Sequence, residues 1–203
     1  MEHPEGKVKV MKWFLLTIIC LMILFLSYQF KLVAMTYNMV RPLLLEDNGK
    51  TCLHHLTTKN IGYRHLGLLQ EGNCLIKNAV RIENFPETKL SSPITVSCST
   101  AKALHQYFIE IKAQTITHLG SYNCRKIRNS SMISEHSYGT ALDISAINGA
   151  SIEKNWNKDS TEGELLHKAY QSACALFSNV LTPDSDKNHH NHIHLDKGIG
   201  LGC

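Results

Sequence analysis

Two histidine-containing segments of the chain carry residue types that could hold a catalytic metal ion. The C-terminal segment contains His189, His192 and His194, and the upstream segment contains His136 and Asp143. Imidazole nitrogens and carboxylate oxygens are the ligands of catalytic zinc sites, where three protein ligands leave the fourth position to water. Zinc lowers the pKa of such a water to about 7, which makes hydroxide available near neutral pH. The two segments together therefore predict metal-assisted hydrolysis.

The spacing of these residues indicates two neighbouring strands. Residues two apart on a strand share a face, so His192 and His194 point the same way while the residues between them point into a core. If the strand that carries Asp143 is the neighbour, Asp143 and His194 converge on one ion. Gly139 permits the turn that brings His136 to the same point. This pattern predicts a zinc ion on His136, Asp143 and His194, with His192 beside it as the general base.

Three nearby polar residues each have two interpretations. Ser134 could orient a ligand or substrate, or it could form a turn or a cap. Asp196 shares a strand face with His194 and could hold an imidazole in place, or it could be a surface carboxylate. Glu135 could take part in acid–base chemistry, but a solvated side chain is the favoured interpretation.

Helical and strand patterns are mixed in the rest of the chain without regular alternation, which favours the α+β class. We expect a small antiparallel sheet that carries the zinc site, with flanking helices. A weak helical pattern covers residues 52–67, and clear amphipathic patterns cover 104–111, capped by Ser99 or Thr100, and 166–177. The predicted strands are 80–82, 94–96, 115–119, 140–146, 180–181 and 192–196.

An uncharged, mostly apolar stretch lies near the N-terminus, at residues 13–30. Its length is at the short end of what spans a bilayer as a helix, and lysines precede it more densely than basic residues follow it. We expect a cytoplasmic N-terminus (1–12), a transmembrane signal anchor (13–35), a linker (36–50) and an exported domain (51–203). A cleaved signal peptide is the alternative, and a buried core helix is less favoured.

The cysteine content agrees with export. Seven cysteines are present, and all except Cys20 lie outside the apolar stretch. An even set in an exported domain predicts up to three disulfides, although spacing alone leaves their pairing open. Proximity in sequence favours the pairs Cys52–Cys74 and Cys174–Cys203, which leaves Cys98–Cys124.

The charge balance argues against a nucleic-acid partner. The formal net charge is +4 at pH 7, and the sequence has no basic stripe with interleaved aromatic residues. A mildly basic exported domain would suit an anionic polymer instead.

Two sets of motifs resemble known families. The first resembles the zinc-peptidase group of D-Ala-D-Ala carboxypeptidases, D-Ala-D-Ala dipeptidases and murein endopeptidases, through Ser134-x-His136-x-x-Gly139-x-Ala141-x-Asp143 and His192-x-His194. The second resembles the extensin-like C-terminal domain family over about residues 52–203. Its motifs are Tyr122-x-Cys124-Arg125, Ser134-Glu135-His136, Ala173-Cys174-x-Leu176-Phe177 and His189-x-x-His192-x-His194-Leu195-Asp196.

The resemblance implies roles for individual residues. It implies zinc as the cofactor, on His136, Asp143 and His194. His192 would be the catalytic base or would stabilise the transition state, and His189 matches a further histidine of the endopeptidase pattern. Arg125 would bind a substrate carboxylate or the developing oxyanion. Related dipeptidases place a glutamate shortly before the last ligand, a role that falls to histidine here, and Asn191 stands where many extensin-like members have aspartate.

These observations predict a membrane-anchored zinc metallopeptidase that hydrolyses amide bonds in peptidoglycan or other peptides containing D-amino acids. The apolar stretch predicts a single-pass membrane protein. With the resemblance, we expect it in the bacterial inner membrane, with its domain in the periplasm or outside the cell. One alternative is a non-catalytic, metal-containing binding or scaffold module of the cell envelope. His192 and His189 argue against it, because a structural zinc site does not need them. A metal-independent, disulfide-rich surface protein is a third possibility.

Overall fold

A long N-terminal helix precedes the folded domain. The computed structural model describes residues 4–46, 48–200 and 203, with side chains from residue 15 onward. Helix α1 (Pro4–Val40) is followed by a 3-10 helix, Arg41–Leu44. The span Leu15–Leu44 is long and apolar enough to cross a membrane, with a mean hydropathy of 2.1. The apolar helix expected from the sequence is therefore confirmed, and a signal sequence near the N-terminus would also meet this criterion of length and composition.

The rest of the chain confirms the α+β class. The further helices are α2 (Gly49–Thr58), α3 (Cys98–Glu110), α4 (Ile152–Asn155) and α5 (Thr161–Leu176), with a second 3-10 helix at Glu135–Tyr138. The strands are β1 (Gly62–Glu71), β2 (Cys74–Asn84), β3 (Lys89–Leu90), β4 (Ile94–Ser97), β5 (Thr115–Gly120), β6 (Ala141–Ile147), β7 (Ala150–Ser151), β8 (Asn179–Leu181) and β9 (Ile193–Asp196).

The strands form two sheets, and the larger one carries the residues of interest. The smaller sheet has the antiparallel order β1-β2-β4. The larger has the order β3-β5-β6-β9-β8, with β7 paired to β6, and is antiparallel except for the β3–β5 pair. In the central β6–β9 pair Asp143 lies opposite His194. The antiparallel neighbourhood that the strand pattern predicted is confirmed.

Helices α3 and α5 bury their apolar faces in one core with the inward side chains of β6 and β9. The Tyr107 hydroxyl of α3 donates to the Ala169 carbonyl of α5 at 3.2 Å. The predicted cap of α3 was wrong by two or three residues. Ser97 is the cap, because its hydroxyl accepts from the Thr100 amide at 3.2 Å and the helix already begins at Cys98.

Strand β1 was not predicted, because the helical pattern was extended through it. Helix α2 ends at Thr58, and Asn60 has a φ of 53° before the strand begins. Register shifts on both sides of Gly67 disturb the alternation that identifies a strand. The sequence pattern therefore predicted only the second strand, β2, of the long β1–β2 hairpin.

Two of the three disulfides differ from the pairing that proximity suggested. Cys174–Cys203 is confirmed, with a Cα–Cα distance of 5.6 Å. The other bonds are Cys52–Cys98 and Cys74–Cys124. Proximity in sequence was a poor guide because α2 packs mainly against α3, which brings Cys52 to Cys98.

The segment 36–50 was expected as a linker, but its described residues, which are all except residue 47, are largely helical and pack against the domain. It contains the end of α1, the 3-10 helix Arg41–Leu44 and the start of α2. The Arg41 side chain is buried, and Leu45 joins a small apolar cluster with Ile133 and Tyr138. This segment is therefore part of the folded structure.

Candidate metal centre

The second 3-10 helix fixes the position of His136. Ser134 caps this helix, since its hydroxyl accepts from the His136 amide at 3.4 Å. Of the two interpretations of Ser134, the cap is the one observed. Gly139 ends the helix with a φ of 63°, and a Cβ there would lie 2.9 Å from the Ser97 amide nitrogen. The expected glycine turn is therefore required both by its backbone conformation and by the space around it.

The β6–β9 pair and the 3-10 helix bring the three predicted ligands together. Nδ1 of His194 lies 2.8 Å from Oδ1 of Asp143, and Nε2 of His136 lies 3.2 Å from Oδ2. The two facing imidazole nitrogens are 3.2 Å apart. One ligand atom from each residue lies within 4.8 Å of the others. These residues could hold a metal ion.

The outer nitrogen of each ligand imidazole is committed to a hydrogen bond. Nδ1 of His136 donates to the Ser121 carbonyl at 2.5 Å, and Nε2 of His194 donates to Oδ2 of Asp196 at 2.9 Å. Asp196 is buried and accepts from Asn179 at 2.8 Å. Asp196 is therefore the group that holds an imidazole, and the surface-carboxylate interpretation is wrong.

This arrangement fits a metal ion by its donor set. Because a carbonyl oxygen only accepts, His136 carries its proton on Nδ1 and turns the lone pair of Nε2 inward. When His194 carries its proton on Nε2 and donates it to Asp196, the lone pair of its Nδ1 is turned towards the same point. Two imidazole nitrogens, each with an outer hydrogen-bond partner, and one carboxylate form a donor set that suits Zn²⁺.

Without a metal ion, the hydrogen bonds between Asp143 and the two histidines shift the pKa values of the cluster. Burial alone would raise the pKa of Asp143, but hydrogen bonds from His136 and His194 hold it well below its usual range. Burial alone would lower the pKa of His194, but its hydrogen bonds with Asp143 and Asp196 raise it to about 9. A metal ion and a proton therefore compete for Nδ1 of His194.

His192 lies beside the three candidate ligands. It immediately precedes β9 instead of starting it, yet its Nε2 is 3.6 Å from Oδ1 of Asp143. Nδ1 donates to the Asn191 amide oxygen at 2.8 Å, so Asn191 orients the ring. Burial lowers the pKa of His192, against the opposing effect of Asp143. A neutral ring with Nε2 free of a proton is the form that a general base requires.

The other two histidines of this segment differ in exposure. The His189 ring lies 5.0 Å from the His192 ring and 5.9 Å from the His194 ring, centroid to centroid. Its Nδ1 contacts Oδ2 of Asp186 at 3.0 Å. His190 is exposed. The loop therefore brings His189 to the site and leaves His190 in solvent.

Arg125 lies on an exposed basic loop near the site. Its amide donates to the Ser137 hydroxyl at 2.9 Å, which ties the loop to the 3-10 helix. Its guanidinium is exposed and donates to the Lys126 carbonyl at 3.5 Å. Among the described residues no carboxylate pairs with it, and no contact joins it to the three ligands. Arg128 reaches Asn188 at 3.3 Å and so connects this loop to the histidine loop.

Sequence reasoning missed a buried cluster behind His136. Glu135 is buried, so the favoured solvated interpretation is wrong. Its carboxylate accepts from Arg41 and Thr140, and the Tyr37 hydroxyl also donates to it. Arg41 follows an apolar helix, where a single arginine is typical of the flank of a membrane span. The sequence therefore gave no sign that Arg41 pairs with Glu135.

The molecule is thus an α+β domain that presents a candidate metal site with two histidines and one aspartate. The family model of the extensin-like protein C-terminus matches residues 50–201. Because the match covers most of the chain, the protein belongs to the extensin-like C-terminal family. The matched region contains the three candidate ligands and also His192, His189 and Arg125. No curated protein and no solved structure matches the chain.

Proposed function

We propose that this protein is a membrane-anchored zinc metallopeptidase that hydrolyses amide bonds in peptidoglycan peptides. One observation carries the proposal. The ligand atoms of His136, Asp143 and His194 converge beside the Nε2 atom of His192, which is free to accept a proton. A site that only binds metal for stability needs no such neighbour, whereas a hydrolytic site does.

Each residue has a defined part in the proposed reaction. His136, Asp143 and His194 would hold the zinc ion, which supplies Lewis-acid polarisation of a carbonyl and acidifies a bound water. His192 accepts a proton from the attacking water as the new C–O bond forms. The C–N bond then breaks and the leaving nitrogen takes up a proton, so that the products are a carboxylate and an amine.

The surroundings of the site suit an anionic peptide. Arg125, Lys126 and Arg128 are exposed on the loop that reaches the histidine loop. The Arg125 guanidinium could pair with a substrate carboxylate, which an arginine fork matches well. The choice of peptides with D-amino acids, and of the periplasmic face of a bacterial inner membrane, rests on the resemblance to the D-Ala-D-Ala carboxypeptidase and murein endopeptidase group.

The test combines metal analysis with digestion of purified murein by the full-length protein in detergent. We expect one zinc per chain and new muropeptides whose masses identify the cleaved bond. His192→Ala should retain zinc and lose roughly 10²–10⁴-fold in rate. His190→Ala is the matched control, because this exposed histidine lies in the same loop, and it should behave as wild type.

Two other results would contradict the proposal. Bound zinc without new muropeptides, for wild type and His192→Ala alike, would indicate a non-catalytic binding or scaffold module of the cell envelope. A chain that binds no zinc and keeps its fold after chelation would be a metal-independent, disulfide-stabilised protein.

A further inference from the structure

The segment that follows the apolar helix contacts both parts of the chain that carry the metal ligands. We propose that Arg41 is a positioning residue of the metal centre. It holds the His136 segment and the His194 segment in a fixed position relative to each other. The inference rests on the proposed metal site but not on the proposed hydrolysis. Arg41 precedes the region that the family model matches, residues 50–201, so family membership does not assign this role.

The contact with the His136 segment is a buried two-point ion pair. Nε of Arg41 lies 2.7 Å from Oε1 of Glu135, and Nη2 lies 2.6 Å from Oε2. The two side chains are 4% and 7% exposed. A planar guanidinium that meets both carboxylate oxygens fixes orientation as well as distance. Because Glu135 immediately precedes His136, this pair fixes the start of the 3-10 helix.

The remaining partners of Glu135 show that it has a structural role. The Thr140 hydroxyl donates to Oε2 at 2.5 Å, and the Tyr37 hydroxyl donates to Oε1. Arg41 also lies over the ring of Tyr138, 5.5 Å from its centroid. Residues on both sides of His136 therefore contact the segment 37–41.

The contact with the His194 segment is made by the same guanidinium. Nη2 of Arg41 donates to the Lys197 carbonyl at 3.1 Å. Lys197 directly follows Asp196, whose carboxylate accepts from Nε2 of His194. One side chain thus connects the helix that carries the first ligand to the strand end that orients the third.

Loss of Arg41 should therefore reach the metal site. It would leave the buried carboxylate of Glu135 without its cation, which is strongly unfavourable, and the 3-10 helix would have to move to expose it. Changes in the groups that support metal ligands typically lower metal affinity about 10- to 100-fold.

The test measures metal binding by the full-length protein in detergent, without a substrate. Zinc affinity is obtained by competition with a chromophoric chelator, and the visible spectrum of the Co²⁺-substituted protein reports ligand geometry. Arg41→Ala should weaken zinc binding about tenfold or more and change the Co²⁺ spectrum. Arg41→Lys keeps the positive charge but loses the two-point contact with the Glu135 carboxylate, so it should weaken zinc binding less than Arg41→Ala does. Arg81→Ala, which removes a more exposed arginine paired with Glu83, should bind as wild type.

The possible outcomes separate this inference from the proposed function. Wild-type zinc affinity and an unchanged Co²⁺ spectrum in both Arg41 variants would overturn it, even if their melting temperatures fell. If Arg41→Ala does not fold, Arg41→Lys decides by the same two measurements. A wild-type protein that binds zinc but releases no muropeptides would refute the hydrolase and leave this inference standing. A wild-type protein that binds no zinc would refute both.

Discussion

At the scale of single residues, the group that meets the outer nitrogen of each imidazole decides what its inner nitrogen can do. The Ser121 carbonyl turns His136 Nε2 towards the cluster, and Asp196 does the same for Nδ1 of His194. The amide of Asn191 leaves Nε2 of His192 free. Three chemically identical side chains thus become two candidate ligands and one candidate base.

The supporting role of Asp196 gives a prediction at this scale. Asp196→Ala removes the acceptor of the His194 Nε2–H, so zinc affinity should fall about 10- to 100-fold. Asp186→Ala is the matched control, because it removes a carboxylate from His189 in the same way but at an exposed position. Chelator competition on the two variants checks the prediction. Equal affinities in both would mean that Asp196 does not support the metal site.

At the scale of elements, the sequence predicted the parts of the site that lie on regular strands. Strict alternation predicts the strand faces on which Asp143 and His194 lie, and in the β6–β9 pair these two residues lie opposite each other. Alternation failed at β1, where bulges interrupt it. The burial of Glu135 was not predictable either, because a charged residue is buried only when a distant partner neutralises it, and local sequence does not show that partner.

The turn after His136 gives a prediction for the 3-10 helix. Gly139→Ala would put a side chain at a φ of 63° and a Cβ 2.6 Å from Cδ1 of Ile76. We expect a loss of roughly 2 kcal/mol or more in the free energy of unfolding. Gly72→Ala is the control, since Gly72 has a φ of 54° with nothing within 4 Å of its added Cβ, and it should lose only about 1 kcal/mol. Denaturant unfolding measures both, and equal losses would exclude a packing role for Gly139.

At the scale of the whole molecule, the apolar helix and the domain are joined by a folded segment and not by a free tether. The sequence suggested a linker at 36–50 because the only local signals there are two turn-type dipeptides, Arg41-Pro42 and Asn48-Gly49. The apolar helix instead continues into a segment that packs on the domain through Tyr37, Arg41 and Leu45. Such docking depends on contacts with residues about a hundred positions away, such as the Arg41–Glu135 pair, and local patterns do not reveal it.

Two shortened chains test whether the domain depends on the segment that joins it to the apolar helix. A chain of residues 36–203 lacks the apolar helix but keeps Tyr37 and Arg41, whereas a chain of residues 50–203 lacks all three. We expect the longer chain to bind zinc as the full-length protein does. The shorter chain should bind about tenfold or more weakly and lose roughly 3–5 kcal/mol of stability, because the Glu135 carboxylate has no cation. Chelator competition and denaturant unfolding, with the disulfides kept oxidised, measure both effects. Equal zinc affinity and stability in the two chains would show that the family-matched domain is complete without the segment that precedes it.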